Sequence, residues 1–170
     1  MLNIFNKIIG LMLIIFACAG MGYSKNQELK NHLKELENLK QAFYMLRGEL
    51  QYTRATFEDV FEKIGDKIKG PIGEWLKSLC RRLYEKEHNS FEEIWDISIE
   101  QKLQESHLKK EDLNELKDIG KNLGYFENID LFIEQLEYKI QKTREDCETK
   151  GKLYRSIGIM GGVFLVILLL

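Results

Sequence analysis

Acidic side chains are absent from both ends of this 170-residue chain, and both ends are apolar. Met1–Tyr23 and Ser156–Leu170 contain no Asp or Glu; all 27 lie between, with 24 of the 25 Lys and Arg, all but Lys7. The first end has an uninterrupted uncharged stretch, Ile8–Tyr23, extended backward past Lys7 by Leu2, Ile4 and Phe5. A spanning helix needs about 20 apolar residues at about 1.5 Å each, and with Lys7 reaching a headgroup this segment is long enough. The other end, Ile157–Leu170, is uncharged but covers only about 21 Å as a helix, short of a hydrocarbon core of about 30 Å. Its last nine residues, Gly162–Leu170, are apolar on every side. Such a helix belongs deep in a large core or in lipid, and this chain is too short to wrap it. Leu153 and Tyr154 can lengthen the span, with Lys150, Lys152 and Arg155 snorkelling outward. The expected organisation is an anchor at 1–23, a helical domain at 24–155 and a second anchor at 156–170.

Two other readings of the first segment stay open. Lys7, a short apolar stretch and the small residues Ala17, Ala19 and Gly20 fit a cleaved signal peptide. Ile15-Phe16-Ala17-Cys18 is similar to a lipobox, which would make the chain a lipid-anchored extracellular structural protein matured at Cys18.

Flanking charge sets the expected orientation. Lys25, Lys30 and Lys34 follow the first segment; Lys139, Lys142, Arg144, Lys150, Lys152 and Arg155 precede the second. The opposite side offers Lys7 and the α-amino group. Lys and Arg near membrane ends are retained in the cytoplasm, so the middle should be cytoplasmic and both termini on the far side. Cys18, Cys80 and Cys147 are odd in number and widely spaced, without a C-x-x-C pair, which fits free thiols in a reducing compartment. The middle carries a net charge of −3 and lacks the basic face that nucleic acid requires.

The middle reads as helices throughout. Leu29, Leu36, Phe43 and Leu50 recur every seven residues with Leu33, Leu39 and Leu46 between, one stripe on a long helix ending near Arg54-Ala55. Thr56 with Asp59 marks the next start, with Phe57, Val60, Phe61 and Ile64 inward and Gly65, then Gly70-Pro71, as its stop. Ile72, Trp75, Leu76, Leu79 and Leu83 mark a third helix, followed by a turn at Glu87-His88-Asn89. Ser90 with Glu93 caps a fourth, with Phe91, Ile94, Trp95 and Ile99 inward. Leu108, Leu113, Leu116, Ile119 and Leu123 form a fifth stripe, closed by Gly124. Ile129, Ile133, Leu136, Ile140, Thr143 and Cys147 form the last. The predicted fold class is all-α, an antiparallel bundle of about six helices between two terminal transmembrane helices. The first and last helices should pack antiparallel, with the four shorter ones at the far end of that stalk.

No catalytic, cofactor-binding or metal-binding constellation is legible. There is no phosphate-cradling loop, H-E-x-x-H or G-x-S-x-G. His32, His88 and His107 stand alone among Lys and Glu and read as surface residues. Trp75 and Trp95 read as core anchors. Gly158 and Gly162 form a G-x-x-x-G in an apolar helix, which lets helix backbones approach closely; Gly20 and Gly22 offer a matching small surface. Exposed helix faces, rather than a pocket, should meet a partner. Arg54, Lys77, Arg81 and Arg82 are candidates for that surface.

Four motifs carry a resemblance over the whole chain. They are Leu46-Arg-Gly-Glu49-Leu50-Gln-Tyr52-Thr53, Phe91-Glu92-Glu93-Ile94-Trp95, Asp118-Ile-Gly120-Lys-Asn-Leu123-Gly124, and the ending from Lys152-Leu-Tyr154-Arg155-Ser156-Ile-Gly158-Ile-Met-Gly161-Gly162 into an apolar run. In this order they resemble the stage III sporulation protein AB family of endospore-forming bacteria. The chain departs from that pattern in lacking a proline after Tyr52, in carrying Glu127 where an aspartate is favoured, and Leu131 where a glutamine is. The resemblance implies a helical domain similar to the cytoplasmic domain of the inner-membrane platform proteins of type II secretion and type IV pilus machines. It also implies placement in the mother-cell membrane facing the forespore, and service to the channel complex linking the two cells. The implied partners are a secretion-type ATPase, stage III sporulation protein AA, the other channel subunits and the bilayer, with self-association open. No cofactor is implied.

Overall fold

The computed structural model describes residues 2–52, 56–85, 90–123 and 126–169; within its helices, the side chains of 2–19, 21–22, 126 and most of 154–169 fall outside that description. Six helices and no strand occur among the described residues: α1 Leu2–Tyr52, α2 Phe57–Lys67, α3 Pro71–Glu85, α4 Phe91–Lys102, α5 Lys110–Gly120 and α6 Phe126–Leu169. The all-helical expectation holds. The apolar end segments are not separate elements but continuations of α1 and α6. Among the described residues, no helix is long and apolar enough to cross a membrane. The expected turn at 87–89 and the closing Gly124 lie outside the described residues.

Caps fix the short helices where the sequence places them. Thr56 Oγ1 accepts from the Asp59 backbone N–H at 3.4 Å, and Ser90 Oγ from that of Glu93 at 3.2 Å, each relieving an unpaired donor of a first turn. Pro71 opens α3, where its missing N–H costs nothing. Gly70 before it has φ +86°, a left-handed conformation that glycine adopts without a steric penalty. Gly65 departs from expectation. It does not stop α2, which runs on to Lys67. Gly65 instead faces α3, where a Cβ would lie 2.9 Å from Lys77 Cγ and 3.2 Å from the Gly73 carbonyl oxygen. The residue is small because two helices cross there.

By compactness the chain forms two units, Met1–Asn31 with Lys142–Leu170, and His32–Gln141. In the first, Asn26 of α1 is buried, and a Cβ on Gly151 of α6 would lie 2.4 Å from its Oδ1. Lys30 stands near enough to Cys147 to oppose the rise that burial imposes on its thiol pKa. Residues 26 and 30 therefore meet 151 and 147, and the two helices run antiparallel, as expected.

The second unit has one continuous core. Leu36, Leu39, Phe43 and Leu46 of α1 are buried with Ile129, Ile133, Leu136 and Ile140 of α6. Phe43 meets Phe132 edge-on at 4.6 Å. Across the surface of this antiparallel pair, Arg47 bridges Asp130 at 2.7 Å and Tyr44 donates to Glu137 at 2.9 Å. The four short helices were expected at the far end of a stalk. Within this unit they lie along the flank of the pair instead: α1 meets α5 at His32, the α2–α3 turn at Asn38 and α2 at Glu49. The physical reason is that every short helix is amphipathic and the pair offers its apolar stripe along its length, so flank packing buries the most area.

Trp75 and Trp95 form the centre, both fully buried, edge-to-face at 4.9 Å. Trp75 donates to Ser98 Oγ at 2.9 Å and Trp95 to the Leu116 carbonyl at 2.8 Å, so neither indole N–H is left dry. Gly120 of α5 makes room for Trp95, since a Cβ there would come within 2.3 Å of the indole. Gly120→Ala should therefore lower unfolding free energy by about 1–3 kcal/mol through overpacking. Gly48→Ala, with open space at its Cβ, should be neutral or stabilise by up to about 1 kcal/mol. Urea unfolding followed by tryptophan fluorescence compares the two.

Candidate docking surface and a buried charge network

The predicted surface residues separate in the structure. Lys77 and Arg81 are one turn apart on α3 and share a shallow groove of about 360 Å³ with Glu62 and Asp66 of α2, and with Cys80 and Tyr84. The α2 wall of the groove is acidic, and the α3 wall carries Lys77 and Arg81 with Glu85 at its end. Lys77 spans it, bridging Asp66 at 3.1 Å. Tyr84, exposed, donates to Asp59 at 3.2 Å, and this bond raises its phenol pKa. Arg82, next in sequence to Arg81, turns about 100° around the helix and bonds Gln101 of α4 instead. It does not belong to the groove. Arg54 lies outside the described residues. Burial first, then Glu62, Glu58 and Asp59, push the Cys80 thiol pKa up, which disfavours its thiolate.

A second shallow groove, about 290 Å³, runs between α5 and α6. Its floor is Ile119 and Phe132, and its rim carries Asn122, Asn128, Gln135 and Leu131. Leu131 is 54% exposed.

The glycines proposed for close helix approach are placed differently. The packing around Gly158, Gly162 and Gly22 lies outside the described residues. Gly20 has open space where a Cβ would sit. Gly151 approaches Asn26 closely between α6 and α1, which sequence spacing did not mark.

Sequence reasoning also missed a buried ionic network. His32, read as a surface residue, is 5% exposed. Its Nε2 lies 2.8 Å from Asp112 Oδ2 on α5. The same oxygen accepts the Lys109 backbone N–H at 2.9 Å, which makes Asp112 the N3 carboxylate that caps α5. Lys139 Nζ of α6 reaches Asp112 Oδ1 and Glu115 Oε2, each at 2.7 Å. Glu35, also buried, accepts the His107 backbone N–H at 2.8 Å. Imidazole Nδ1 of His32 finds no partner among the described residues. His107 itself is exposed as expected, and His88 lies outside the described residues. Asp112 following Lys109 by three is a legible capping signal; its meeting with His32, 80 residues away, is not.

Burial opposes ionisation of Asp112, but the bonds from His32, Lys139 and the Lys109 N–H outweigh it and hold the carboxyl far below the usual range. Burial likewise opposes the Lys139 charge, and Asp112 and Glu115 reverse that, so its pKa is raised. No group of three or more His, Cys, Asp or Glu suited to a metal ion occurs among the described residues. The network ties α1, α5 and α6 together, with His32 and Asp112 shut away from solvent.

A depressed carboxyl pKa contributes stability above its unfolded value and loses it as pH falls. Asp112→Asn should cost about 1–3 kcal/mol at neutral pH, because it weakens the acceptor that His32 Nε2 and the Lys109 N–H share and removes one of the two carboxylates that Lys139 bridges. The parent should lose stability as pH drops below about 4, and the variant should lose much less over that range. Denaturation midpoints across pH measure both.

The family model described as Stage III sporulation protein AB matches residues 7–170. Stage III sporulation protein AB of Bacillus subtilis (strain 168) is similar to this chain, 21% identical over 170 residues that cover 96% of this chain and 99% of the relative. A solved structure of a stage III sporulation protein AB superposes with a TM-score of 0.64 at 19% identity, covering 69% of this chain and 96% of its own, a likeness of fold alone. With the family model matching all but its first six residues, the chain belongs to the stage III sporulation protein AB family.

Proposed function

We propose that this sporulation-family chain is a non-enzymatic membrane platform. Its two acid-free end segments sit in the mother-cell membrane facing the forespore. Its helical unit, residues 32–141, docks a secretion-type ATPase, stage III sporulation protein AA, and serves the channel linking the two cells. The observation that carries this reading is the antiparallel return of α6 along α1, with Asn26 against Gly151. That return sends both acid-free ends the same way, so one bilayer can take both. The basic residues flanking those ends favour a cytoplasmic location for the bundle and a far-side location for both termini.

The docking partner is supported by charge. The 32–141 unit holds 17 Lys and Arg against 23 Asp and Glu, a net charge of −6. Such a field steers a basic partner surface toward it. The α2–α3 groove supplies local pattern within that field, an acidic wall beside Lys77 and Arg81. We assign docking to this groove.

Two measurements test the reading. With a membrane-impermeant maleimide on intact cells, under mild denaturation, Cys80 and Cys147 should label only after lysis. Labelling before lysis would place the bundle outside the cytoplasm, rule out an ATPase partner and favour the lipid-anchored reading at Cys18. In bilayer discs, Glu62→Lys with Asp66→Lys should weaken binding of the cognate ATPase by about tenfold while leaving the circular dichroism unchanged. Unchanged affinity would exclude the groove as the docking site.

A further inference from the structure

The α1–α6 register in the 1–31/142–170 unit brings together charges that the sequence keeps far apart. Asn26 against Gly151 and Lys30 near Cys147 set Lys25 of α1 level with Lys152 of α6, and Lys150 within one turn. All three lysines are exposed. Arg155 follows three residues beyond Lys152. The first acidic residues met from either end are Glu28 and Glu148, so along both helices a positive layer comes next to the apolar end segments and an acidic one only after it.

An exposed apolar stripe continues from this layer toward the end of α6. Leu153, Ile157, Met160, Phe164 and Ile167 recur at steps of 4, 3, 4 and 3, each more than half exposed. Basic heads directly beside an outward apolar stripe match the two zones of a bilayer, phosphate above and acyl chain below. The ion pairs Lys25–Glu28 and Lys150–Asp146, both at 2.8 Å, are solvent-exposed, and pairs of that kind are weak enough to exchange for a headgroup phosphate.

We infer that the collar formed by Lys25, Lys150 and Lys152 binds anionic phospholipid headgroups and concentrates them around the chain. This rests on the membrane reading above and goes beyond it, since insertion alone needs no particular headgroup. The occupant is lipid, because the positive layer is continuous with the apolar stripe, and a soluble anion would satisfy only the first.

The test uses the full chain. Reconstitute it in vesicles of phosphatidylcholine mixed with phosphatidylglycerol, float the vesicles, cut polymer-bounded discs around the protein and compare their lipid ratio with the bulk. Phosphatidylglycerol should be enriched by about threefold at low salt, as a few basic residues near an anionic surface allow. The enrichment should fall to parity in high salt and in the variant Lys25→Gln, Lys150→Gln, Lys152→Gln, whose helical content is checked by circular dichroism. A floating parent chain with bulk lipid ratio overturns the inference and leaves the membrane reading intact. Equal enrichment in the triple variant also overturns it, since the collar is then not the site. A parent chain that floats with neither pure phosphatidylcholine nor the mixture overturns the membrane reading and the inference together.

Discussion

Trp95 is the point at which four helices of the bundle meet. It belongs to α4, takes the edge of Trp75 from α3, lies against Phe61 of α2, and donates its indole N–H to the Leu116 carbonyl of α5. Gly120 opens the space it fills. A large ring with one polar atom can be buried only where that atom finds an acceptor, so the bond to Leu116 fixes how deep α5 lies against α4. Around this ring, Phe57 and Phe61 of α2 and Phe91 of α4 pack at 5.7–6.4 Å, and the hydrophobic area they remove from water drives these two helices together.

Charge is handled in two ways. On the surface, exposed pairs such as Lys117–Glu100 and Arg47–Asp130 join neighbouring helices at little energetic consequence. Inside, Asp112 gathers a histidine, a lysine and a backbone N–H from three parts of the chain. A buried carboxylate is tolerable only when its oxygens are this fully bonded, and the arrangement then admits one register of α1 and α6 against α5. Oily packing would tolerate a slip of one turn; a carboxylate with three donors does not.

The functional reading follows from what the fold offers and to whom. The 32–141 unit has a dry core and a net acidic surface whose described grooves are shallow, features suited to meeting another protein. The other unit is a helix pair with the opposite charge balance, 8 Lys and Arg against 4 Asp and Glu. A chain that segregates charge in this way has one part suited to a basic protein partner and one suited to a negatively charged lipid surface.

The sequence by itself determined the helices. Seven-residue recurrence of Leu29, Leu36, Phe43 and Leu50, the caps at Thr56 and Ser90, and Pro71 at a first turn are local effects, set by backbone geometry and side chains within a few residues. The core followed from the same periodicity, including both tryptophans. Tertiary structure decided what local pattern cannot encode. His32 looks solvated beside Asn31 and is instead buried, because its partner comes from α5. Gly65 looks like a helix stop and is instead a crossing point, because its neighbour is α3. Arg81 and Arg82 look alike and face different helices, because a helix turns about 100° per residue. Each of these depends on a contact between residues distant in the chain, and helical periodicity names the buried face without naming what it is buried against.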